Sequence, residues 1–177
     1  QLSGVDAVLV VSEKNRFYFT GFASTFGYLL LFPGNKSTFI TDPRYFEMAQ
    51  SLVADGVEVV EIANGLSANQ TLAETLAAHE VTTLGFEDTE LTVKEYLDFE
   101  KALHEYKLTP VGDNINTVRS VKSDEEIALI AKAQSITDAA FADLLKVLKA
   151  GMTEIEVRIE LEYLMAKHGA EGLAFDT

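Results

Sequence analysis

Between Val5 and Val111 the chain alternates short apolar, β-branched segments with longer segments of helical periodicity. Val5–Val11 is mostly apolar, a pattern typical of a central strand that is buried on both faces. Tyr28–Phe32 and Ser37–Thr41 flank the turn-forming Pro33–Asn35 segment, which predicts a β-hairpin. Because strands joined by helical crossovers pair side by side, the alternation predicts an α/β fold, a mixed sheet with helices on both faces.

Capping signals place three helices between the later strands. Asp42 precedes Pro43 at the start of the first helix, and Thr92 caps the third. Arg16–Thr20 is a short aromatic segment that ends at Gly21, where a turn is expected. The first of these helices is expected to bury Phe46, Ala49, Leu52 and Val53. The second is expected to span Asn69–His79, with Leu72, Leu76 and Ala77 on one face. The remaining strands are expected at Val57–Ile62, Thr83–Glu87 and Lys107–Val111.

Helical patterns alone follow the alternation, so we expect a first domain over residues 1–115 and the beginning of a second over residues 116–177. Ser123 and Glu126 have the spacing of a capping box ahead of a long amphipathic run, and Gly151 is a candidate for its left-handed C-cap. Thr153–Glu156 repeats the capping pattern. The helix that it begins should end at Gly169, after which the chain resembles the start of a strand. Two helices bury their own apolar faces poorly, so the natural protein is expected to continue. The Val118–Leu148 helix is expected to pack on the first domain or on a second copy of the chain.

Charge and composition exclude several classes of function. With 28 acidic and 14 basic residues, the formal net charge is −14, which disfavours nucleic acid or an anionic membrane as the main partner. The absence of cysteine excludes disulfides and thiolate chemistry and fits a cytoplasmic protein. No apolar run approaches the roughly 20 residues of a membrane span.

Local motifs reveal no catalytic centre. His79, His104 and His168 are far apart and lie near predicted helix C-termini, where the helix dipole favours an imidazole. Most carboxylates are explained as residues of helix N-terminal turns, and Asp176 stands alone beside a glycine-rich turn. Phosphate-loop, dinucleotide-binding and nucleophile-elbow motifs are absent.

One polar cluster requires an interpretation, because arginine, tyrosine and aspartate recur in two neighbouring loop-adjacent segments. Arg16 or Arg44 could form an ion pair with Asp42 and hold the edge of the sheet together. Alternatively, the cluster could line a pocket or a subunit interface, where arginine and tyrosine are enriched. The candidate residues are Arg16, Tyr18, Asp42, Arg44 and Tyr45.

Six segments in this order resemble one known family: Asn15–Phe22, Thr41–Tyr45, Gly85–Glu87, Arg119–Ile127, Gly151–Glu154 and Gly169–Thr177. The first three are similar to the N-terminal domain of the Xaa-Pro aminopeptidase, prolidase and creatinase family. The fourth resembles the segment that joins this domain to the "pita-bread" catalytic domain, and the last two resemble the first part of that domain. The resemblance covers essentially all 177 residues.

The resemblance implies a metallopeptidase, usually with two manganese, cobalt or zinc ions, that cleaves Xaa-Pro bonds at peptide N-termini or in dipeptides. In the family the metals activate a bridging water, and their ligands lie downstream of Thr177. It therefore implies no catalytic, cofactor-binding or metal-ligating residue in this chain, which we expect to be inactive alone. It also implies a role in shaping the substrate mouth and in forming a dimer or tetramer.

Two alternatives within the family stay open. A non-catalytic member would use this domain only for binding or assembly. A creatinase-type amidinohydrolase would act on a small guanidino substrate without a metal. Dipeptidase and aminopeptidase activities are not distinguished by these residues.

Overall fold

The apolar run near the start of the chain forms a strand at the centre of a sheet. The computed structural model describes residues 4–34 and 36–177, and in it each side chain from Ala7 to Val10 is at most 4% exposed. Successive side chains of a strand point to opposite faces, so all four are buried only because both faces are covered. The prediction of a central, doubly buried strand is confirmed.

In the described part of the chain six strands form one mixed sheet: β1 (Ala7–Val10), β2 (Tyr28–Phe32), β3 (Lys36–Thr41), β4 (Val57–Glu61), β5 (Thr83–Phe86) and β6 (Lys107–Pro110). Their order is β4-β3-β2-β1-β5-β6. β2 is antiparallel to both β1 and β3, and the remaining neighbours are parallel. The predicted hairpin and mixed sheet are confirmed, although Asn35 of the predicted turn lies outside the described residues.

The helices are α1 (Glu13–Thr20), α2 (Pro43–Leu52), α3 (Ala68–Ala77), α4 (Val93–Ala102), α5 (Asn114–Ser120), α6 (Asp124–Val147) and α7 (Glu154–Lys167). The predicted caps are confirmed: the Asp42 side chain accepts a hydrogen bond from the Arg44 amide, and Thr92 forms a capping box with Glu95. Searching the described helices for a long apolar one finds none that could cross a membrane.

Two apolar layers cover the two faces of the sheet. One contains Leu9, Leu30, Ile40 and Leu84 from the strands, with Leu72, Leu76, Phe99 and Leu103 from α3 and from α4 and its C-cap. The other contains Val8, Val10, Leu29 and Phe39, with Ala49 of α2 and Ile115 of α5. Alternate residues of β1 thus point into different layers. The prediction of helices on both faces is confirmed.

The chain divides into one unit that ends at Ser120 and a second that begins at Val121. In the second unit, α6 and α7 pack together through the buried residues Ala140, Leu144 and Leu164. The partly buried residues Val157, Leu161 and Met165 pack against this cluster. Both predicted capping boxes, at Ser123 and at Thr153, are present. Much of the apolar stripe of α6 is exposed: Ile127, Ile130, Phe141 and Leu145 are each more than half accessible to solvent.

Two expectations for the first unit are wrong. Arg16–Thr20 is helical and belongs to α1, which ends at Gly21 with a left-handed φ of 69°. The sequence pattern does not predict this helix, because the helix buries Asn15 and Arg16. Its inward face is therefore polar and shows no apolar residues at helical spacing. Leu52 and Ala77 are exposed, because each falls in the last turn of its helix and faces away from the sheet.

Three expectations for the chain after Pro110 are also corrected. Val118 belongs to the separate helix α5, because the chain is not helical between Ser120 and Asp124. α6 ends at Val147 with Leu148 as its C-cap, so Gly151, at φ 93°, serves the following turn. The segment after Gly169 forms no strand within residues 170–177, since no other described strand pairs with it.

Asp6 links the beginnings of two neighbouring strands and should make stability depend on pH. Its carboxylate accepts hydrogen bonds from the Thr82 hydroxyl at 2.6 Å and from the Thr82 and Thr83 amides at 2.9 and 2.8 Å. These bonds, with the Thr82 hydroxyl first, lower the pKa of Asp6. A carboxyl whose pKa is lowered by folding stabilises the fold above its ordinary pKa, and that stabilisation is lost as the pH falls through the folded value.

We therefore expect Asp6→Asn to remove part of the loss of stability seen on acidification below about pH 4. Urea unfolding at a series of pH values measures this effect, with the exposed Asp55→Asn as the charge-matched control. Identical pH profiles for the two variants would contradict the role of Asp6.

Candidate functional site

The carboxyl ends of β1 and β5 lie side by side, because these two strands pair in parallel. α1 begins directly after β1, and Glu87 directly follows β5. Crevices at the carboxyl ends of parallel strands are the usual binding sites of α/β sheets. The polar residues at this edge are therefore the first candidates for a functional site.

A buried carboxylate organises the edge. Glu87 is 2% exposed, and its carboxylate accepts hydrogen bonds from the Val11 amide at 2.6 Å, the Ser12 amide at 2.9 Å and Asn15 Nδ2 at 2.5 Å. Asn15 Oδ1 in turn accepts a hydrogen bond from Arg119 Nη1 at 2.7 Å. This chain of contacts, the Glu87 network, joins β5, α1 and α5. It compensates the cost of burying a carboxylate with directed donors.

Arg16 is a second buried charge at the same edge. Its side chain is 5% exposed and donates hydrogen bonds to the carbonyl oxygens of Val11 and of Ser24, the latter at 2.9 Å. Burial lowers the pKa of Arg16, and the nearby Glu13 and Glu87 carboxylates oppose that shift; an arginine nevertheless stays protonated in proteins. Its Nε–H finds no acceptor among residues 4–34 and 36–177.

A cavity of about 190 Å³ adjoins Arg16. We call it the Arg16 cavity; its walls include the aromatic rings of Phe26, Tyr28 and Phe99, with Leu91 and Glu95. The Tyr28 and Phe99 rings meet edge to face at 5.4 Å between centroids. The Tyr28 hydroxyl donates to Asn69 Oδ1 at 3.2 Å, and burial raises the pKa of Tyr28. The cavity thus places one arginine and one glutamate beside aromatic and aliphatic side chains, with a lining that is largely polar.

The second predicted segment forms a separate, exposed arrangement. The Arg44 guanidinium contacts the Asp42 carboxylate, with Nη2 2.6 Å from Oδ2 and Nε 3.1 Å from both oxygens. The same guanidinium lies 5.4 Å from the centre of the Tyr45 ring, and the Tyr45 hydroxyl lies 2.8 Å from Thr25 Oγ1. The hydrogen bonds from Thr25 lower the pKa of Tyr45. Arg44, and not Arg16, is thus the partner of Asp42.

The sequence-based candidates are therefore divided between two places. Arg16 lies beside the Arg16 cavity, whereas Asp42, Arg44 and Tyr45 form the exposed arrangement at the start of α2. Tyr18 lies with its ring 5.9 Å from the Arg119 guanidinium. Whether any of them lines a functional pocket or interface stays a prediction.

Sequence reasoning missed the central residues of the Glu87 network. The sequence pattern places Glu87 only at the end of a predicted strand and Arg119 only in a linking segment. An ionisable residue directly after a buried apolar strand was the available signal for Glu87, because such a position faces the carboxyl edge of the sheet. Nothing local pointed to the contact between Arg119 and Asn15, which are 104 residues apart.

Two of the three histidines, His79 and His168, make structural contacts. The His79 ring stacks on Phe32 at 4.1 Å between centroids, and His168 Nε2 lies 3.0 Å from Asp143 Oδ2. Within the described ranges no three His, Asp or Glu side chains come together in a way that could hold a metal ion. The described His, Asp and Glu side chains therefore do not fit a metal centre.

Comparison with known proteins gives two family matches in succession. Residues 1–121 match the creatinase/prolidase N-terminal domain, and residues 128–177 match metallopeptidase family M24. An uncharacterized peptidase of Bacillus subtilis, YqhT, is 38% identical over 98% of this chain and 48% of its own length.

The chain is also similar to solved structures of proteins named as Xaa-Pro peptidases. An Xaa-Pro dipeptidase from Bacillus anthracis superposes with a TM-score of 0.88 at 35% identity, covering 98% of this chain and 47% of that one. An X-Pro aminopeptidase from Thermotoga maritima also gives a TM-score of 0.88, at 31% identity, covering 98% of this chain and 49% of that one. The chain spans about half the length of the curated relatives that it matches.

Proposed function

Because this chain belongs to the creatinase/prolidase N-terminal domain family, we propose that it forms the amino-terminal part of a metal-dependent peptidase that cleaves Xaa-Pro bonds. The observation that carries the proposal is the succession of the two family matches, with the second beginning in α6 directly after the first unit. The superpositions support it, since they extend over both units and involve proteins named as Xaa-Pro peptidases.

The proposed role of these 177 residues is to shape the substrate mouth and to support assembly. Two divalent ions, manganese, cobalt or zinc, would polarise the scissile carbonyl and activate a water when bound. We propose that the ligands of these ions lie outside this chain. The substrates would be Xaa-Pro dipeptides or peptides with proline in the second position.

The 177-residue chain alone is therefore expected to lack peptidase activity. The test incubates the purified chain with an Xaa-Pro dipeptide and an Xaa-Pro-Xaa tripeptide, with and without Mn²⁺, and measures release of the N-terminal amino acid. We expect no metal-dependent release above the buffer control. Metal-dependent cleavage of either peptide would refute the proposal that the ligands of the metal ions lie outside this chain.

Assembly into a homo-oligomer and a cytoplasmic location complete the proposal. Exposed apolar side chains on α1 and α2, among them Phe17, Met48 and Leu52, support self-association. The absence of cysteine is compatible with a reducing compartment. Light scattering after size-exclusion chromatography tests the assembly, and a monomer at all concentrations would contradict it.

A further inference from the structure

We propose that Asn64 is a site of spontaneous deamidation, at which the backbone amide of Gly65 attacks the side chain and ammonia is released. Of the six asparagines in the chain, Asn64 is the only one that a glycine follows. Glycine has no Cβ, so its amide nitrogen is less crowded than that of any other residue. The inference does not depend on the proposed peptidase function, because it concerns the covalent chemistry of the chain itself.

Asn64 lies in an exposed turn between β4 and α3. The Leu66 amide donates a hydrogen bond to the Ala63 carbonyl oxygen at 3.0 Å, and Gly65 has a φ of 90°. These features are those of a type II β-turn, which favours glycine at its third position. Asn64 and Gly65 are both exposed to solvent. Water, the other reactant, therefore has access to both residues.

The two reacting groups are free to meet. Within residues 4–34 and 36–177 the Asn64 side chain forms no hydrogen bond, and the Gly65 amide donates none. Nothing lies within 4 Å of the position that a Cβ on Gly65 would take. Ring closure requires rotation about the Cα–C bond of Asn64. An exposed turn that one backbone hydrogen bond closes can open locally for this rotation while the core stays folded.

The reaction has two balanced steps. In the first, the Gly65 nitrogen loses its proton and bonds to Asn64 Cγ, the bond from Cγ to the side-chain nitrogen breaks, and ammonia leaves, which gives a succinimide. In the second, water adds to one of the two ring carbonyl carbons and the bond from that carbon to the ring nitrogen breaks. The product at position 64 is aspartate or, when the backbone then runs through Cβ and Cγ, isoaspartate. Either product adds a negative charge to a chain whose formal net charge is −14.

The other asparagines lack these features. Asn15 is 1% exposed, and its side chain donates a hydrogen bond to Glu87. Asn69 lies in α3, and Asn114 and Asn116 lie in α5, where helical geometry restricts the backbone rotation that ring closure needs. All five precede a residue that carries a side chain. Deamidation should therefore be selective for Asn64.

The turn that precedes β4 provides an internal comparison, because it has the same geometry and a different side chain. The Val57 amide donates to the Ala54 carbonyl oxygen at 3.2 Å, and Gly56 has a φ of 88°. Asp55 takes the place of the asparagine and is also exposed. A carboxylate is a weaker electrophile than an amide and has no ammonia to release. Conversion of Asp55 to isoaspartate should therefore be much slower than deamidation of Asn64.

Timed incubation of the purified, folded chain at mildly alkaline pH tests the proposal. Cleavage after glutamate releases residues 62–74, in which tandem mass spectrometry distinguishes Asn64 from Asn69. We expect amide-to-acid exchange at Asn64 and not at Asn69, with both products formed; an endoproteinase that cuts before aspartate cleaves the normal product and not the isoaspartyl one. Equal conversion of the two asparagines would overturn the proposal. So would an unchanged Asn64 over a period in which a synthetic peptide of residues 62–74 is converted.

A matched pair of variants tests the part played by Gly65. Gly65→Ala should slow conversion of Asn64 at least about tenfold, because the added Cβ crowds the attacking nitrogen and raises the barrier. The control Gly56→Ala changes the glycine of the turn before β4 and should leave the rate at Asn64 unchanged. Circular dichroism checks that both variants fold, and synthetic peptides of residues 62–74 with Gly65 or alanine give the same comparison without folding. Equal rates at Asn64 in the two variants would refute the role of Gly65.

Discussion

Replacing Glu87 with alanine should lower the free energy of unfolding of the first unit by about 3 kcal/mol or more. The substitution leaves the Val11 and Ser12 amides and the Asn15 side chain without the acceptor that now lies 2.5–2.9 Å away. It also removes the anion on which Asn15 relies to orient its own acceptor toward Arg119. Urea unfolding followed by far-ultraviolet circular dichroism measures the change.

Two variants separate the buried network from a general effect of losing an acid. Glu90→Ala removes an exposed carboxylate three residues along the chain and should change stability by no more than about 0.5 kcal/mol. Glu87→Gln keeps the shape but replaces one acceptor oxygen with a donor, so we expect an intermediate loss. A Glu87→Ala variant as stable as Glu90→Ala would show that the network does not hold the edge of the sheet together.

Gly27→Ala should destabilise the first unit by about 3 kcal/mol. Gly27 has a φ of 144°, which side chains rarely adopt, and an added Cβ would lie 2.6 Å from Phe39 Cε2 and 2.9 Å from the Ile40 carbonyl oxygen. Phe39 is buried in the sheet core and its ring cannot move aside freely. The loss should appear in the same urea unfolding experiment.

Gly65→Ala is the matched control for this crowding. Gly65 also has a positive φ, of 90°, but nothing lies within 4 Å of the position that its Cβ would take. It should therefore cost only the backbone strain, about 1 kcal/mol. If the two alanine variants were equally stable, the close approach of Gly27 to Phe39 would not contribute to the free energy of unfolding.

Signals that act over a few residues allowed much of the fold to be predicted. β1 was recognisable because four successive apolar residues need cover on both faces, and α6 because Ser123 and Glu126 form a reciprocal capping box. The start of α2 was recognisable for the same reason, because Asp42 is its N-cap and Pro43 is its first residue. Each of these elements is determined by neighbours in sequence, so a single sequence suffices to place it.

The site was not predictable in the same way, because its contacts are remote in sequence. Asn15 and Glu87 are 72 residues apart, and their contact exists only because β1 and β5 pair in parallel. The surroundings of Arg16 likewise include residues remote in sequence, because Leu91 and Phe99 line the same cavity. An arginine in a short aromatic segment looks exposed until the sheet order is known.

The proposed peptidase function is tested most directly by an Xaa-Pro hydrolysis assay on the product of the complete gene, with Mn²⁺ and after treatment with a chelator. We expect metal-dependent release of the residue that precedes proline, from a dipeptide, a tripeptide or both. A folded protein that cleaves neither peptide in the presence of metal would contradict it.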